Sequence, residues 1–294
     1  MMKKTEKFKN IDDYLDHWNN FFVSWNNDKE GTFDKDVIWS KREGKEWSTI
    51  KGVKKSTKLE PDVFPQPYLG DIKNHSVISL NLNPSRSNKY GDENFNEPDL
   101  NSNYNYEKYA ESFPTYDTHN FWKKQKNWID RIFEFLEKEK PSEKHIKPFA
   151  IEICPWGSKK FQKLKIKKDD PLIEYMNQHV FDVIEKVIEH SKLKMVLSVG
   201  KAYYDIFKKS GFNKLEERSY KENKPEELNW PQKKDKNSGM DRDVKRSFSI
   251  WEKDGIKYFN TYASGSNSPP AEYFDTIQND LINKFYSKKL KTNK

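Results

Sequence analysis

Four short apolar runs in this chain each end in residues able to do chemistry. Ser76–Leu82 leads into Asn81-Leu82-Asn83-Pro84-Ser85, where a proline breaks the strand and leaves a polar amide at its tip. Pro148–Cys154 leads into Glu152-Ile153-Cys154-Pro155-Trp156-Gly157, which places a carboxyl group at a second tip. Met195–Val199 is followed by Gly200-Lys201-Ala202, a tight strand-to-helix turn. Tyr258–Tyr262 runs into Ser264-Gly265-Ser266-Asn267-Ser268-Pro269-Pro270, a small-residue loop opening a helix, whose free N–H groups suit a phosphate. Ligands of open α/β sheets bind outside the carboxyl ends of the strands, so these four tips together form the candidate site. Two of the tips also have a plainer reading: Asn-Pro suits an Asx turn capping a strand, and Glu152 suits a solvated strand-end carboxylate.

The elements that must position these tips follow from hydrophobic period. Each apolar run is followed by a helical pattern, with helices expected over Phe121–Lys138, Pro171–His190, Ala202–Ser210 and Pro270–Lys288. Strands alternating with helices imply a parallel sheet covered on both faces. Asp254-Gly255 between strand-like runs predicts a hairpin within Phe248–Phe259. Tyr14, Trp18, Phe21, Phe22 and Trp25 recur at helical spacing within Ile11–Trp25. Residues 26–60 show no clear period and read as an irregular connector, so 1–60 is expected to be an N-terminal helix and extension packed on a core domain at 61–290. Two stretches look inserted: 86–117, rich in Asn and Tyr, and 213–243, rich in Lys and Glu. No internal repeat is visible.

Composition narrows the function classes. The 54 Lys+Arg against 46 Asp+Glu give a formal charge of +8, which favours a polyanionic partner, although Lys- and Asn-rich drift produces the same excess. Aromatic residues make up 15% of a chain only 34% hydrophobic, so rings carry much of the apolar area, chiefly as core. The single cysteine, Cys154, excludes an internal disulfide, a Cys-based zinc site and a four-cysteine iron–sulfur cluster, and fits a reducing cytoplasm. No apolar stretch approaches the ~20 residues needed to span a bilayer, and Met1–Asn10 is charged with no apolar region behind it. His17, His145, His179 and His190 lack metal-ligand spacing and read as surface or satisfied histidines. The lysine tracts 159–168 and 233–236 read as solvated, the first also placed to grip phosphate.

Taken in order, the motifs resemble the uracil-DNA glycosylase superfamily. Pro67-Tyr68-Leu69-Gly70-Asp71 and then Leu80–Ser85 are similar to its first motif, which in the mismatch-specific and single-strand-selective branches reads Gly-x-Asn-Pro-Gly. Asn83 and Pro84 match; Asn81 and Ser85 stand where glycines are usual. Thr118-His119-Asn120-Phe121-Trp122 resembles the start of the next helix, Phe149–Pro155 the second core strand, Val196–Ala202 the third, and Ser264–Pro270 sits where the family has His-Pro-Ser-Pro or Asn-Pro-Ser-Gly. The likeness spans roughly residues 65–285. It implies a three-layer α/β/α fold with a short, mostly parallel four-stranded central sheet, DNA as partner, no cofactor or metal, and a monomer.

The resemblance also implies roles. Asn83 would hold or polarise the attacking water beneath the sugar. Glu152 occupies the position where uracil-specific members use an Asn to read the base edge. An Asn amide donates to uracil O4 and accepts from N3–H, whereas cytosine presents a donor at N4 and an acceptor at N3. A protonated Glu152 fits cytosine: it donates to N3 and accepts from N4–H, which requires a raised pKa. Ser264 stands at or near the family histidine that stabilises the departing uracil, and its loss agrees, since a cytosine derivative leaves more readily when protonated at N3. Ser85 replaces a Tyr that in one branch blocks the C5 side of the pyrimidine, opening that side. Phe113 or Tyr116 would stack on the flipped base, core packing being the alternative for either ring. Gly265, Ser266, Asn267, Ser268 and Pro269 complete the expected phosphate and intercalation loop. The sequence-level expectation is therefore a monofunctional DNA glycosylase acting on a 5-modified cytosine, such as the hypermodified cytosines of phage DNA, in antiviral defence. The alternatives are ordinary uracil or deaminated-base repair, or a DNA-binding member of the fold that has lost its chemistry.

Overall fold

The computed structural model describes residues 7–41, 59–61, 64–82, 106–111, 120–137, 148–157, 166, 170–219, 232–234, 241–243, 246–263 and 268–290. The fold is α/β, built on one mixed seven-stranded sheet in the order β1-β3-β2-β4-β9-β8-β5, beside a two-stranded sheet. Its parallel centre consists of β2 (Val77–Asn81), β3 (Pro148–Glu152), β4 (Val196–Val199) and β9 (Ile256–Ala263). These are the four runs read from the sequence. The expected four-stranded sheet is corrected to seven because antiparallel strands extend both edges: β1 (Tyr68–Leu69) pairs with β3, while β8 (Arg246–Lys253) and then β5 (Asn213–Ser219) continue beyond β9. The tight β8–β9 turn places Asp254 at φ 52° and Gly255 at φ 77°, the positive-φ pair that a two-residue hairpin needs.

Part of the 213–243 stretch is thus a sheet edge rather than an inserted loop. The sequence of β5, Asn-Lys-Leu-Glu-Glu-Arg-Ser, disguises it, because charges blunt an edge that must not recruit a further strand. Gln232–Lys234 (β6) and Asp241–Asp243 (β7) form the small second sheet.

Helices cover both faces. On one side α5 (Asn120–Glu137) and α9 (Asp275–Leu290) pack Trp128, Ile132, Ile277 and Leu281 against Val77, Leu197, Phe248 and Phe259. On the other, α1 (Ile11–Asn27), α6 (Pro171–Met176), α7 (Asp182–Val187) and α8 (Lys201–Lys209) bury Trp18, Phe22, Leu172, Ile184 and Phe207 against Ile78, Leu80, Ile151, Val196 and Tyr258. Strand alternation explains the split, since Val77 and Ile78 point to opposite faces.

The supposed connector after α1 contains two further helices, α2 (Lys29–Lys35) and α3 (Val37–Ser40). Both escape a periodicity search because each is only one or two turns long. They are fixed by an Asp28 cap whose carboxylate accepts from Gly31 N–H at 2.9 Å, and by burial of Phe33 and Trp39. Inside the 86–117 stretch, α4 (Tyr106–Glu111) belongs to the core: Tyr106 stacks on Phe22 at 4.4 Å between centroids and donates its hydroxyl to Tyr68 O at 2.6 Å. None of the described helices is long and apolar enough to cross a membrane.

Candidate active site

Asn81 and Glu152 are the last residues of β2 and β3 and lie opposite one another in the parallel register. Beyond them the pairing continues: Ile153 N–H donates to Asn81 O at 3.0 Å and Cys154 N–H to Leu82 O at 2.9 Å, so the backbone is held up to the residue before Asn83. The Glu152 N–H donates to Pro67 O at 2.9 Å, which ties the strand tip to the segment entering β1. The Glu152 residue is buried at this tip, 6% exposed.

That burial corrects the reading of Glu152 as a solvated strand-end carboxylate. Desolvation pushes its carboxyl up to about 8, opposed only by a hydrogen bond from Asn81. At neutral pH the group is therefore mostly a carboxylic acid. Asn81 Nδ2 donates to Glu152 Oε1 at 2.9 Å, while Glu152 Oε2 is buried with no partner among the described residues.

The direction of the Asn81 amide is set from below. Gln125 Nε2 on α5 donates to Ser79 Oγ at 2.6 Å, and Ser79 Oγ donates to Asn81 Oδ1 at 3.1 Å. Ser79 has one hydroxyl proton, and with Gln125 supplying its lone pair a donor, that proton goes to Asn81. Asn81 must then present its NH2 to Glu152. Oε1 is consequently the accepting, carbonyl-like oxygen, and Oε2 is the atom that carries the proton. Ser79 and Gln125 are 0% and 1% exposed, so water does not compete for these bonds. Sequence reasoning singles out Glu152 but misses Ser79 and Gln125, and gives Asn81 no part beyond standing at a glycine position. Ser79 hides within an apolar run, and Gln125 lies 46 positions away from it.

The third tip contributes shape. Gly200 has φ 143° and ψ 151°, a conformation open essentially to glycine alone, and its N–H donates to Thr261 O at 2.9 Å. This lets α8 start directly after β4 and brings Tyr203, fully buried, within electrostatic reach of Glu152, whose carboxylate adds to the upward push that burial gives the phenol. Cys154, next along β3's extension, is buried with its thiol pushed well above the usual range, which makes it an unreactive packing residue.

At the fourth tip, two guanidinium groups hold the stem of the loop. Arg246 Nη1 donates to Thr261 Oγ1 at 3.0 Å and Nη2 to Ser268 O at 2.9 Å. Arg131 Nη2 donates to Pro270 O at 2.6 Å while its Nε pairs with Asp275 at 3.0 Å. Arg246 is 6% exposed, burial lowers its pKa to about 10, and it has no carboxylate partner among the described residues. The helix expected to open at Pro270 starts later: a 3-10 turn at Glu272–Phe274 precedes α9 at Asp275.

Of the other residues singled out from sequence, Ser268 and Pro269 lie on this stem, half-buried. Asn83, Ser85, Phe113, Tyr116, Ser264, Gly265, Ser266 and Asn267 lie outside the described residues. Among the described residues no group of three His, Cys, Asp or Glu side chains is placed to hold a metal ion. His17 and His179, read from sequence as surface or satisfied histidines, both line a cavity on the face of the sheet opposite α5; His17 is partly buried and His179 buried. That cavity does not include Glu152. Among the described residues, it is at the strand tips that a buried acid meets an oriented donor at the carboxyl ends of parallel strands, which makes them the candidate chemical site.

Compared with protein-family models, curated proteins and solved structures, the chain finds no match.

Proposed function

We propose that the protein is a monofunctional DNA glycosylase that hydrolyses the N-glycosidic bond of a flipped cytosine derivative and leaves an abasic site. The observation that carries this reading is the buried, protonated Glu152 with Oε1 engaged by Asn81 and Oε2 without a partner among the described residues. A buried polar atom left without a partner costs free energy until a ligand supplies one. The N3/N4 edge of cytosine does so: Oε2–H donates to N3, and Oε1, which has a second lone pair, accepts from N4–H.

In the reaction, water attacks C1′ as the C1′–N1 bond breaks, and the bonding electron pair goes to the base. Glu152 transfers its proton to N3, so the base leaves neutral rather than as an anion. The water's surplus proton passes to solvent, Glu152 is reprotonated from solvent, and Asn83 is assigned the positioning of the water. Pyrimidines modified at C5 are the proposed substrates, as in phage DNA carrying hypermodified cytosine. The +8 charge and the doubly clamped 268–270 stem support DNA as the partner.

The test is a panel of duplexes containing uracil, cytosine, hydroxymethylcytosine or glucosylated hydroxymethylcytosine, incubated with the protein and treated with alkali to cleave abasic sites. Cleavage at a cytosine derivative, lost in Glu152→Gln, is the expected result. Excision of uracil alone would overturn the cytosine assignment. Tight, salt-sensitive DNA binding with no abasic product on any substrate would overturn the enzyme.

A further inference from the structure

Between α1–α3 and α6 lies a cavity of about 600 Å3 that the chemistry at the strand tips does not use. Its volume falls within the range typical of small-molecule sites.

The cavity's far wall is built by an irregular helix. The chain passes from α6 to α7 through a π-helical turn at Asn177–Phe181. Such turns are rare, carry one residue more than an α-turn, and concentrate at functional sites. Here the turn places Gln178 and His179 on the cavity wall, with the His179 ring stacked on Tyr175 at 4.3 Å between centroids.

Among the described residues, the charges lining the cavity cancel. Lys7 and Lys35 are matched by Asp36 and Glu174, and both histidines are neutral. Burial, reinforced by the nearby Lys7 ammonium, pushes His17 down to about 4 and His179 to about 2. Lys7 Nζ lies 2.6 Å from His179 Nε2. An ammonium has only protons to give, so His179 keeps its own hydrogen on Nδ1, a buried donor with no partner among the described residues, in a residue 8% exposed. Asp36 is mostly buried, its carboxyl pushed up by desolvation while it accepts from Trp156 Nε1 at 2.9 Å. A nucleotide phosphate would find no net positive charge here. Donors and acceptors around the partly buried Phe21 and Tyr175 rings instead match a ring with hydroxyl groups on its rim and C–H groups on its face.

We propose that this cavity is a binding site for a neutral, hydroxyl-bearing ring compound, a sugar or a nucleoside, recognised by the Lys7, Gln178 and Asp36 side chains against the Phe21 and Tyr175 rings. The inference is independent of the glycosylase reading.

Isothermal titration of the intact protein tests it with methyl glucoside, cytidine, uridine and adenosine, and with the three nucleoside 5′-monophosphates. Saturable binding of a neutral probe, weakened about tenfold or more by Lys7→Met and by Gln178→Ala, is the expected result. Unchanged thermal unfolding of the two variants confirms that the fold is retained. Binding by the glucoside alone assigns a sugar site, and binding by nucleosides alone a nucleoside site. The proposal is overturned if no neutral probe binds up to about 10 mM, if a monophosphate binds more tightly than its nucleoside, or if both folded variants bind like the unaltered protein.

Discussion

Asn81 and Glu152, seventy-one positions apart in sequence, form the terminal pair of the β2–β3 ladder, and the amide of one donates to the carboxyl group of the other at 2.9 Å. Everything proposed about base recognition depends on this pair. It fixes which oxygen accepts and which holds the proton, and it does so at a buried carboxyl group.

Replacing Glu152 by Gln keeps the size and one hydrogen bond of each sense but removes the transferable proton. Single-turnover cleavage is expected to fall by roughly 10²–10⁴-fold, the range usual for a general acid, with DNA binding retained. In the unaltered protein kcat/KM should decline as pH rises through about 8, because only the protonated acid donates, and that limb should vanish in the variant. Near-normal cleavage by Glu152→Gln would reduce Glu152 to a hydrogen-bonding reader.

Asn81→Leu removes the donor that lowers the Glu152 pKa. The carboxyl group then holds its proton to higher pH, so the alkaline limb of the rate profile should move upward. The rate itself should drop about tenfold or more because the carboxyl is free to rotate. Ser79→Ala and Gln125→Leu act on the same amide from further off and should shift the limb in the same direction by less. A limb that stays in place in all three variants would separate the chain Gln125–Ser79–Asn81 from the proton chemistry.

Glu152 also makes a stability prediction of definite sign. Its pKa is raised on folding from 4.5 to about 8, so the folded state holds a proton that the unfolded chain has released. Below about pH 4.5 there is no penalty. The penalty grows as pH rises through the window from 4.5 to 8 and is complete above it. Glu152→Gln should therefore raise the thermal unfolding midpoint at pH 8, by roughly 5–10 °C, and leave it almost unchanged at pH 4.5. Equal effects at both pH values would contradict the buried, protonated state.

Arg246 tests whether the loop stem serves DNA. The guanidinium spends its two Nη groups inside the protein, on Thr261 and Ser268, and so acts by positioning. Arg246→Met should weaken binding to a short duplex by about tenfold while leaving the dependence of log affinity on log salt unaltered, measured by fluorescence anisotropy at several salt concentrations. A slope shallower by about one would instead mean that the guanidinium meets a phosphate itself.

Much of the framework is legible in the amino-acid sequence. Tracts such as Val-Ile-Ser-Leu-Asn and Pro-Phe-Ala-Ile-Glu are apolar on both faces because parallel strands are covered on both sides, and a proline or glycine ends each one near its functional tip. Asp254-Gly255 announces its hairpin because few residues tolerate two successive positive φ angles. Glu152 stands out as a carboxyl group at a strand end. Its charge state does not, since protonation depends on burial by the tertiary packing, and Asn81, which opposes it, stands seventy-one positions away. The strands β1 and β5 are illegible because one is two residues long and the other is charged as an edge must be. The orienting chain and the histidine-lined cavity are illegible for a related reason: a hydrogen bond from Gln125 to Ser79, or from Lys7 to His179, joins positions 46 and 172 residues apart, and no local period records that they meet. Local pattern determines where the chemistry-bearing residues stand along the strands; packing alone decides which of them are dry, which are paired, and which proton is left to give.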